Sequence, residues 1–168
     1  MSFSDTTQWF AVQVKPQHEN SVAMQLAYKG QDVLLPKGDQ QKIWSDRKVK
    51  TRRPLFPGYV FCRINQSTYS TVLNTPGVFR VVHFGGKPYP VSEEEMVSLR
   101  RLIDSGRQLS PTPYVTAGQK VLVTQGPLIG AIGIVERVQK RNRLIISVEL
   151  VMRSVAVDIN VLEVRPIY

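Results

Sequence analysis

The sequence is poor in the residues that form covalent crosslinks, metal sites and membrane spans. Its 168 residues include one cysteine, Cys62, and two histidines, which excludes an internal disulfide and a clustered zinc site. No run of about 18 apolar residues occurs, and the first eight residues lack the charged-then-apolar pattern of a signal peptide. We therefore expect a cytoplasmic protein with no membrane contact, no metal and no cofactor.

Catalytic patterns are also lacking. His18 and His83 each stand without the Cys, Ser or carboxylate neighbours that would indicate a triad or a metal site. The three consecutive glutamates that begin at Glu93 open a predicted helix, where negative charge offsets the helix dipole. The sequence thus predicts a protein that is not an enzyme.

Positive charge is in excess and is concentrated in one segment. Lys and Arg number 22 against 13 Asp and Glu, a net charge of +9 that favours nucleic acid as a partner. Lys37 to Arg53 alone holds seven basic and two acidic residues, a net charge of +5. This equals the net charge of all residues from 1 to 106. We predict a basic hairpin that contacts nucleic acid through Lys42, Arg47, Lys48, Lys50, Arg52 and Arg53; a solvated loop is the alternative.

Two domains with a linker are predicted from the composition along the chain. A polar stretch with one glycine and two prolines, Ser105 to Tyr114, separates different patterns, so we assign residues 1–106 and 117–168 to domains and 107–116 to a flexible linker. The first domain mixes helical and strand periods, with helices at residues 17–29, 67–73 and 92–103. This predicts an α+β sandwich, an antiparallel sheet with helices on one face.

The second domain shows only short strand patterns, which predicts a small five-stranded β-barrel because closure removes edge strands. Its strands are expected at residues 120–123, 132–138, 144–150, 155–157 and 161–164. The loop between the first two strands contains Gly126, Pro127, Gly130 and Gly133. These residues permit a tight turn and a close approach of the backbone to its neighbours. A phosphate-binding loop is disfavoured there, since no Lys-Ser/Thr pair and no helix follow the glycines.

Alternation in the first domain separates aliphatic from mixed strand faces. In the strand at residues 59–64 one face carries Val60, Cys62 and Ile64, and the other carries Tyr59, Phe61 and Arg63. The strand at residues 9–15 divides in the same way, with Trp9 and Gln13 on its mixed face. We expect helices to cover the aliphatic faces and the mixed faces to form an open aromatic patch; a second minor core is the alternative.

Such a patch would need a second contact to bind a partner tightly. Two aromatic rings that bury about 200 Å² each would contribute roughly 10 kcal/mol at about 25 cal/mol per Å². Association costs on the order of 4–15 kcal/mol. The basic hairpin could supply the remainder through phosphate contacts, which add affinity without reading sequence.

Five segments carry a resemblance to a known family: Trp9-Phe-Ala-Val, Pro54-Leu-Phe-Pro-Gly-Tyr-Val-Phe61, Gly77-Val-Phe-Arg-Val-Val, the helix after Pro90-Val-Ser, and Gly126-Pro-Leu-Ile-Gly130. Their order and content closely resemble the NusG family over nearly the whole chain. The resemblance implies a NusG N-terminal domain that binds the clamp helices of the largest RNA polymerase subunit near upstream or non-template DNA. It also implies a KOW domain that contacts a ribosomal protein or a termination factor.

Particular residues follow from this resemblance. The polymerase-binding surface is expected to involve Phe56, Tyr59 and Phe61, with Trp9 and Gln13 nearby. A second contact, with the polymerase gate loop, is implied for Thr68, Tyr69, Ser70 and Thr71.

The branch of the family is indicated by two segments. The short connection Gly30-Gln-Asp-Val33 and the hairpin segment Ile43-Trp-Ser-Asp-Arg-Lys48 resemble specialised antiterminator paralogues of the RfaH and UpxY type. Pro76 stands where a DNA-reading paralogue has an arginine, which disfavours recognition of a DNA element. A housekeeping NusG is the alternative, and a ribosome-associated RNA-binding KOW protein is the alternative of another class. In each case we expect a monomer.

Overall fold

The computed structural model describes residues 5–115 and 117–168, without the side chains of residues 40–44. The helices are α1 (Glu19–Tyr28), α2 (Tyr69–Leu73) and α3 (Glu93–Asp104). The strands, in chain order, are β1 (Gln8–Val14), β2 (Val33–Leu34), β3 (Lys37–Trp44), β4 (Arg47–Pro54), β5 (Tyr59–Ile64), β6 (Val78–Val81), β7 (His83–Phe84), β8 (Lys87–Pro88), β9 (Leu109–Pro113), β10 (Gln119–Val123), β11 (Ile132–Val138), β12 (Arg141–Val148), β13 (Arg153–Asp158) and β14 (Val164–Pro166).

The described chain divides into two compact units. The first combines residues 5–35 with Phe56–Glu93, and the second combines Pro36–Leu55 with Glu94–Tyr168. These units differ from the predicted boundaries, which assign everything up to residue 106 to one domain. The division into residues 1–106, 107–116 and 117–168 stays a prediction of which segments fold independently.

Two close contacts explain why the β3–β4 hairpin and most of α3 belong to the second unit. A β-carbon on Gly38, near the base of the β3–β4 hairpin, would lie 3.0 Å from the backbone oxygen of Leu109. In α3, the buried Ser98 hydroxyl accepts a hydrogen bond of 2.9 Å from the backbone N–H of Ile132. The hairpin and most of α3 therefore pack with the C-terminal strands.

The sheet of the first unit has the strand order β2-β5-β1-β6, and all neighbouring strands are antiparallel. Helices α1 and α2 cover one of its faces, with Val22, Leu26 and Val72 buried against it. The sheet contributes the aliphatic side chains of the same core, namely Phe10, Val12, Val14, Val60, Cys62, Ile64 and Val81. The prediction that helices cover the aliphatic faces of both strands is confirmed.

The local sequence explains where α1 forms and ends. Val22 and Leu26, spaced one helical turn apart, are both fully buried, whereas Ala27 is exposed. The helix ends before Gly30, whose φ of +81° lies in the left-handed region that glycine adopts without steric cost. None of the described helices is both long and apolar enough to cross a bilayer.

The sheet of the second unit has the order β14-β10-β11-β12-β13-β9. Four predicted strands form near their predicted positions as β10 to β13. The sixth strand, β9, lies within the predicted linker and pairs with β13 from Leu109 opposite Val157 to Pro113 opposite Arg153. Proline indicates a linker in sequence, but it is equally compatible with an edge strand, and β9 lies at the edge of this sheet.

The last predicted strand, at residues 161–164, is shifted toward the C-terminus. Val161–Glu163 form a 3-10 helix because Asn160 caps it: the Asn160 side chain accepts from the Leu162 N–H, and the Glu163 carboxylate accepts from the Asn160 N–H. The Glu163 carboxylate also lies 2.8 Å from the Arg107 guanidinium. The hydrogen bond from Arg107, followed by that from Asn160, holds the pKa of Glu163 below its usual value.

Candidate functional site

The face of the first sheet opposite α1 and α2 carries the predicted partner-binding residues. Strands β1 and β5 are paired so that Trp9 is opposite Arg63, Ala11 opposite Phe61, and Gln13 opposite Tyr59. Side chains of directly opposed residues project to the same side of a sheet. The structure therefore brings Trp9, Gln13, Tyr59 and Phe61 onto one face, which we call the mixed face.

The rings associated with this face are more buried than the sequence predicts. Phe56 and Phe61 are fully buried and contact each other edge to face, with ring centroids 5.4 Å apart. Trp9 is also buried, whereas Gln13 and Tyr59 are half-buried. The expectation of an open aromatic patch is thus wrong for Trp9 and Phe61 in this structure. The role of Trp9, Gln13, Phe56, Tyr59 and Phe61 in polymerase binding stays a prediction.

Two arginines give the mixed face a positive character. The Arg63 guanidinium lies 5.8 Å from the Trp9 ring centroid, and the Arg63 Nε is buried without a hydrogen-bond partner among the described residues. On the neighbouring strand β6, Arg80 Nε donates a hydrogen bond of 2.8 Å to the Gln13 side-chain oxygen. Aromatic and guanidinium groups are enriched at protein contacts, which suits this face to a partner with acceptor groups.

A turn at Gly58 precedes β5. Gly58 has a φ of +85°, and its N–H donates a hydrogen bond of 2.9 Å to the carboxylate of Glu19. Glu19 is buried, and sequence reasoning missed it as a positioning residue. Its signal is an acidic residue in the first turn of a helix, which alone indicates only a favourable helix dipole. This contact fixes where β5 begins and hence where Tyr59 projects.

The residues predicted to contact the polymerase gate loop lie at the start and in the body of α2, within the helix predicted at residues 67–73. Thr68 is the residue before the helix, and its hydroxyl accepts a hydrogen bond from the Asn65 N–H at 3.0 Å. Tyr69 is partly buried against the helix-covered core, and this burial raises its pKa. Ser70 is exposed and Thr71 is half-buried. A polymerase contact here stays a prediction, in which Ser70 is the most accessible of the four residues.

The predicted basic hairpin is present as β3 and β4. The two strands pair over eight residues each, from Lys37 opposite Pro54 to Trp44 opposite Arg47, and they hydrogen-bond to no third described strand. The basic side chains on β4 are exposed, namely Arg47, Lys48, Lys50, Arg52 and Arg53. Arg52 lies 3.7 Å from Asp39 on the opposite strand, an exposed ion pair that neutralises part of the charge. The side chain of Lys42 lies outside the described residues.

The glycine-rich loop between β10 and β11 is a tight turn. Gly126 and Gly130 have φ of +82° and +89°, and the exposed Pro127 lies between them. A β-carbon on Gly133 would lie 2.5 Å from the backbone oxygen of Ile145, so the predicted close backbone approach is present at this residue. The loop leads into a strand, as expected for a connection between strands and not for a phosphate-binding loop.

Residues 5–115 and 117–168 contain no cluster of three or more His, Cys, Asp or Glu side chains placed to hold a metal ion.

Comparisons with known proteins identify relatives over most of the chain. A family model described as "Transcription termination factor nusG" matches residues 7–100. Relatives described as "Transcription termination/antitermination protein NusG" include that of Yersinia pestis, 27% identical over 98% of this chain and 99% of the relative. The protein of that description from Neisseria meningitidis serogroup B is 29% identical over 95% and 97% of the two chains. That of Pasteurella multocida is 30% identical over 80% and 76%.

A solved structure supports the fold. The structure described as "Domain interaction in Thermotoga maritima NusG" is similar with a TM-score of 0.57 and 22% identity, covering 97% of this chain and 98% of that chain. An α/β N-terminal part followed by a β-rich C-terminal part is thus common to both.

Proposed function

Because this chain belongs to the NusG family, we propose that it is a transcription elongation and antitermination factor that binds RNA polymerase. The family match at residues 7–100 includes the entire mixed face. It lies outside the predicted KOW segment, which argues against a ribosomal protein that shares only that segment. The proposed contact is between the mixed face and the clamp helices of the largest polymerase subunit, and it promotes processive, pause-resistant transcription.

The mixed face carries the proposal through its composition. Tyr59 supplies a half-buried aromatic ring beside the buried rings of Trp9 and Phe61. Arg63 supplies a guanidinium whose buried Nε has no described acceptor. Aromatic and arginine side chains dominate the binding energy of protein contacts. Tyr59 is the aromatic residue of this face that is partly accessible, so we propose that it makes the first contact.

The exposed basic residues of the β3–β4 hairpin supply the proposed second contact, with upstream or non-template DNA. Eight residue pairs at about 3.4 Å per residue give a ribbon roughly 27 Å long, enough to follow several phosphates. Arg47 and Arg53 share one face of this ribbon, while Lys48, Lys50 and Arg52 share the other. Phosphate contacts from such side chains position a protein on DNA without reading its sequence.

The C-terminal strands are proposed to contact a ribosomal protein or a termination factor. Exposed apolar side chains suited to a protein contact include Ile129, in the glycine-rich loop, and Met152, after β12.

Tyr59→Ala is expected to weaken binding to a purified clamp-helix fragment about 30-fold, because loss of a central aromatic contact typically costs at least 2 kcal/mol. Binding is measured by fluorescence anisotropy, and folding by thermal unfolding. Phe61→Ala is a poorer probe, since this ring is fully buried and its loss would also destabilise the fold.

Tyr28→Ala is the matched control, because Tyr28 is an exposed tyrosine on α1, which covers the opposite side of the sheet. It should bind the fragment like the unmodified chain. Undiminished binding by a folded Tyr59→Ala variant would refute the proposed contact.

We propose further that the chain is a specialised paralogue that acts on long operons. The short connection between α1 and β2 supports this proposal, since only residues 29–32 link the two elements. Deletion of the gene should then reduce transcription of distal genes in a few long operons, measured by RNA sequencing. A change across most transcripts would instead indicate a housekeeping factor.

A further inference from the structure

A small hairpin at the end of the first sheet carries exposed aromatic rings that the proposed polymerase contact does not use. Strands β7 and β8 pair His83 with Pro88 and Phe84 with Lys87. Gly85 and Gly86 connect them with φ of +63° and +78°, the positive values that a two-residue type I′ turn requires at both positions. The turn therefore holds the flanking side chains in a defined arrangement.

Three aromatic side chains of this region are exposed. Phe84 and Tyr89 have exposed fractions of 69% and 50% and meet edge to face, with centroids 5.5 Å apart. Phe79, on the edge strand β6, is 66% exposed, and the Arg80 guanidinium lies 5.8 Å from its ring centroid. Aromatic rings are usually largely buried, so several exposed rings in one segment indicate an interaction surface.

The charge of the segment restricts what can cover these rings. Residues 77–90 contain Arg80 and Lys87 and no aspartate or glutamate. Arg80 is held in place through its hydrogen bond to Gln13, which uses only its Nε. Lys87 is exposed and lies directly opposite Phe84 in the hairpin. The complementary ligand is therefore an anionic chain that also presents flat apolar faces.

We propose that this segment binds single-stranded nucleic acid through Phe84, Lys87 and Tyr89 of the hairpin, here called the aromatic hairpin, together with Phe79 and Arg80 of the preceding strand β6. Unpaired bases stack on the exposed rings, while Arg80 and Lys87 contact the phosphates between them. Grooves for single strands combine these two elements, because every base has a face that can stack. The bases of a duplex are already stacked on one another, so the surface selects unpaired strands without reading sequence.

This inference does not rest on polymerase binding, so its test uses the full chain alone. Binding of labelled oligo(dT) and oligo(U) of about 12 nucleotides is measured by fluorescence anisotropy at low salt. Phe84→Ala and Tyr89→Ala should each weaken binding about tenfold, the loss expected for one stacked base. Phe84→Trp should retain binding, because it keeps a ring at this position.

Two further arms separate stacking from charge. An oligonucleotide of the same length without bases keeps the phosphates but has nothing to stack. Phe84→Ala and Tyr89→Ala should bind it as the unmodified chain does, because phosphate contacts, including those of the basic β3–β4 hairpin, are unchanged. The logarithm of the binding constant falls linearly with the logarithm of the salt concentration, by about 0.7 per contacted phosphate of a single strand. Lys87→Gln should therefore make this slope less steep by about 0.7. Tyr28→Ala, which removes a 95% exposed ring from α1, is the control and should leave all binding unchanged.

Weaker binding of oligo(dT) supports a DNA ligand and weaker binding of oligo(U) an RNA ligand, and either result supports the inference. Normal binding of both strands by Phe84→Ala and Tyr89→Ala would overturn it, as would an equal loss for the strand without bases. Loss of polymerase binding with normal oligonucleotide binding would assign the aromatic hairpin to a protein partner and would also overturn it.

Discussion

Replacing Leu26 by alanine is expected to lower the free energy of unfolding by about 2–5 kcal/mol, which is a large part of the stability of an ordinary domain. Leu26 is fully buried and belongs to the core between α1 and the sheet, together with Val12 and Val60. Truncation leaves a cavity that neighbouring side chains of a packed core fill only partly. Urea unfolding followed by circular dichroism should show a midpoint lower by about 1 M or more.

Met24→Ala on the same helix is the control for this change. Met24 is 73% exposed, so its truncation should alter the free energy of unfolding by less than about 0.5 kcal/mol. Similar midpoints for Leu26→Ala and Met24→Ala would mean that α1 does not cover the aliphatic face of the sheet. The assignment of the mixed face to a partner would then lose its structural basis.

The thiol of Cys62 is expected to react with iodoacetamide at least a thousandfold more slowly in the folded chain than an exposed cysteine does. Burial, with a smaller contribution from the negative charge of Asp32, raises its pKa to about 12 from an ordinary value of 9.0. Three pKa units leave about a thousandfold less of the reactive thiolate at neutral pH. Since the chain has a single cysteine, one mass shift reports the reaction directly.

A matched exposed thiol can be placed on α1. The double variant Cys62→Ser with Met24→Cys should be alkylated at the rate of a small-molecule thiol, because residue 24 is exposed. The unmodified chain should react at a comparable rate only in urea. Rapid alkylation of native Cys62 would contradict both its burial and its position on the aliphatic face.

Periodic elements of both units could be predicted from sequence because their hydrophobic patterns are determined locally. Alternation placed Val60, Cys62 and Ile64 on the face that α1 and α2 cover. The strand predicted at residues 132–138 has the bounds of β11, and the positive φ of Gly58 forms the turn before β5. In these cases the side-chain period and the positive φ of glycine each allow essentially one local structure.

Pairing between distant segments could not be predicted in the same way. Leu109–Pro113 satisfies the pattern of a linker, and only the available edge of β13 makes it a strand. Glu163, at the end of the 3-10 helix Val161–Glu163, pairs with Arg107, which lies 56 residues earlier in the sequence. Local signals are overridden where a backbone or side-chain partner lies elsewhere in the chain.

The candidate site shows the same division. Alternation alone determined that Tyr59 and Phe61 share a face with Arg63, since neighbouring residues of a strand must point to opposite sides. It could not determine that Phe61 is buried against Phe56 or that the carboxylate of Glu19 holds the Gly58 N–H, because these contacts join residues from separate elements.

The sequence by itself thus determined the family, the helix-covered sheet and the residues of the mixed face, because these follow from motifs and periods within single segments. Only the tertiary structure decided which aromatic rings are accessible. The exposure of a ring depends on what packs around it. Phe61 and Phe84 both lie on β-strands, yet Phe61 is fully buried, whereas Phe84 and the nearby Tyr89 are exposed.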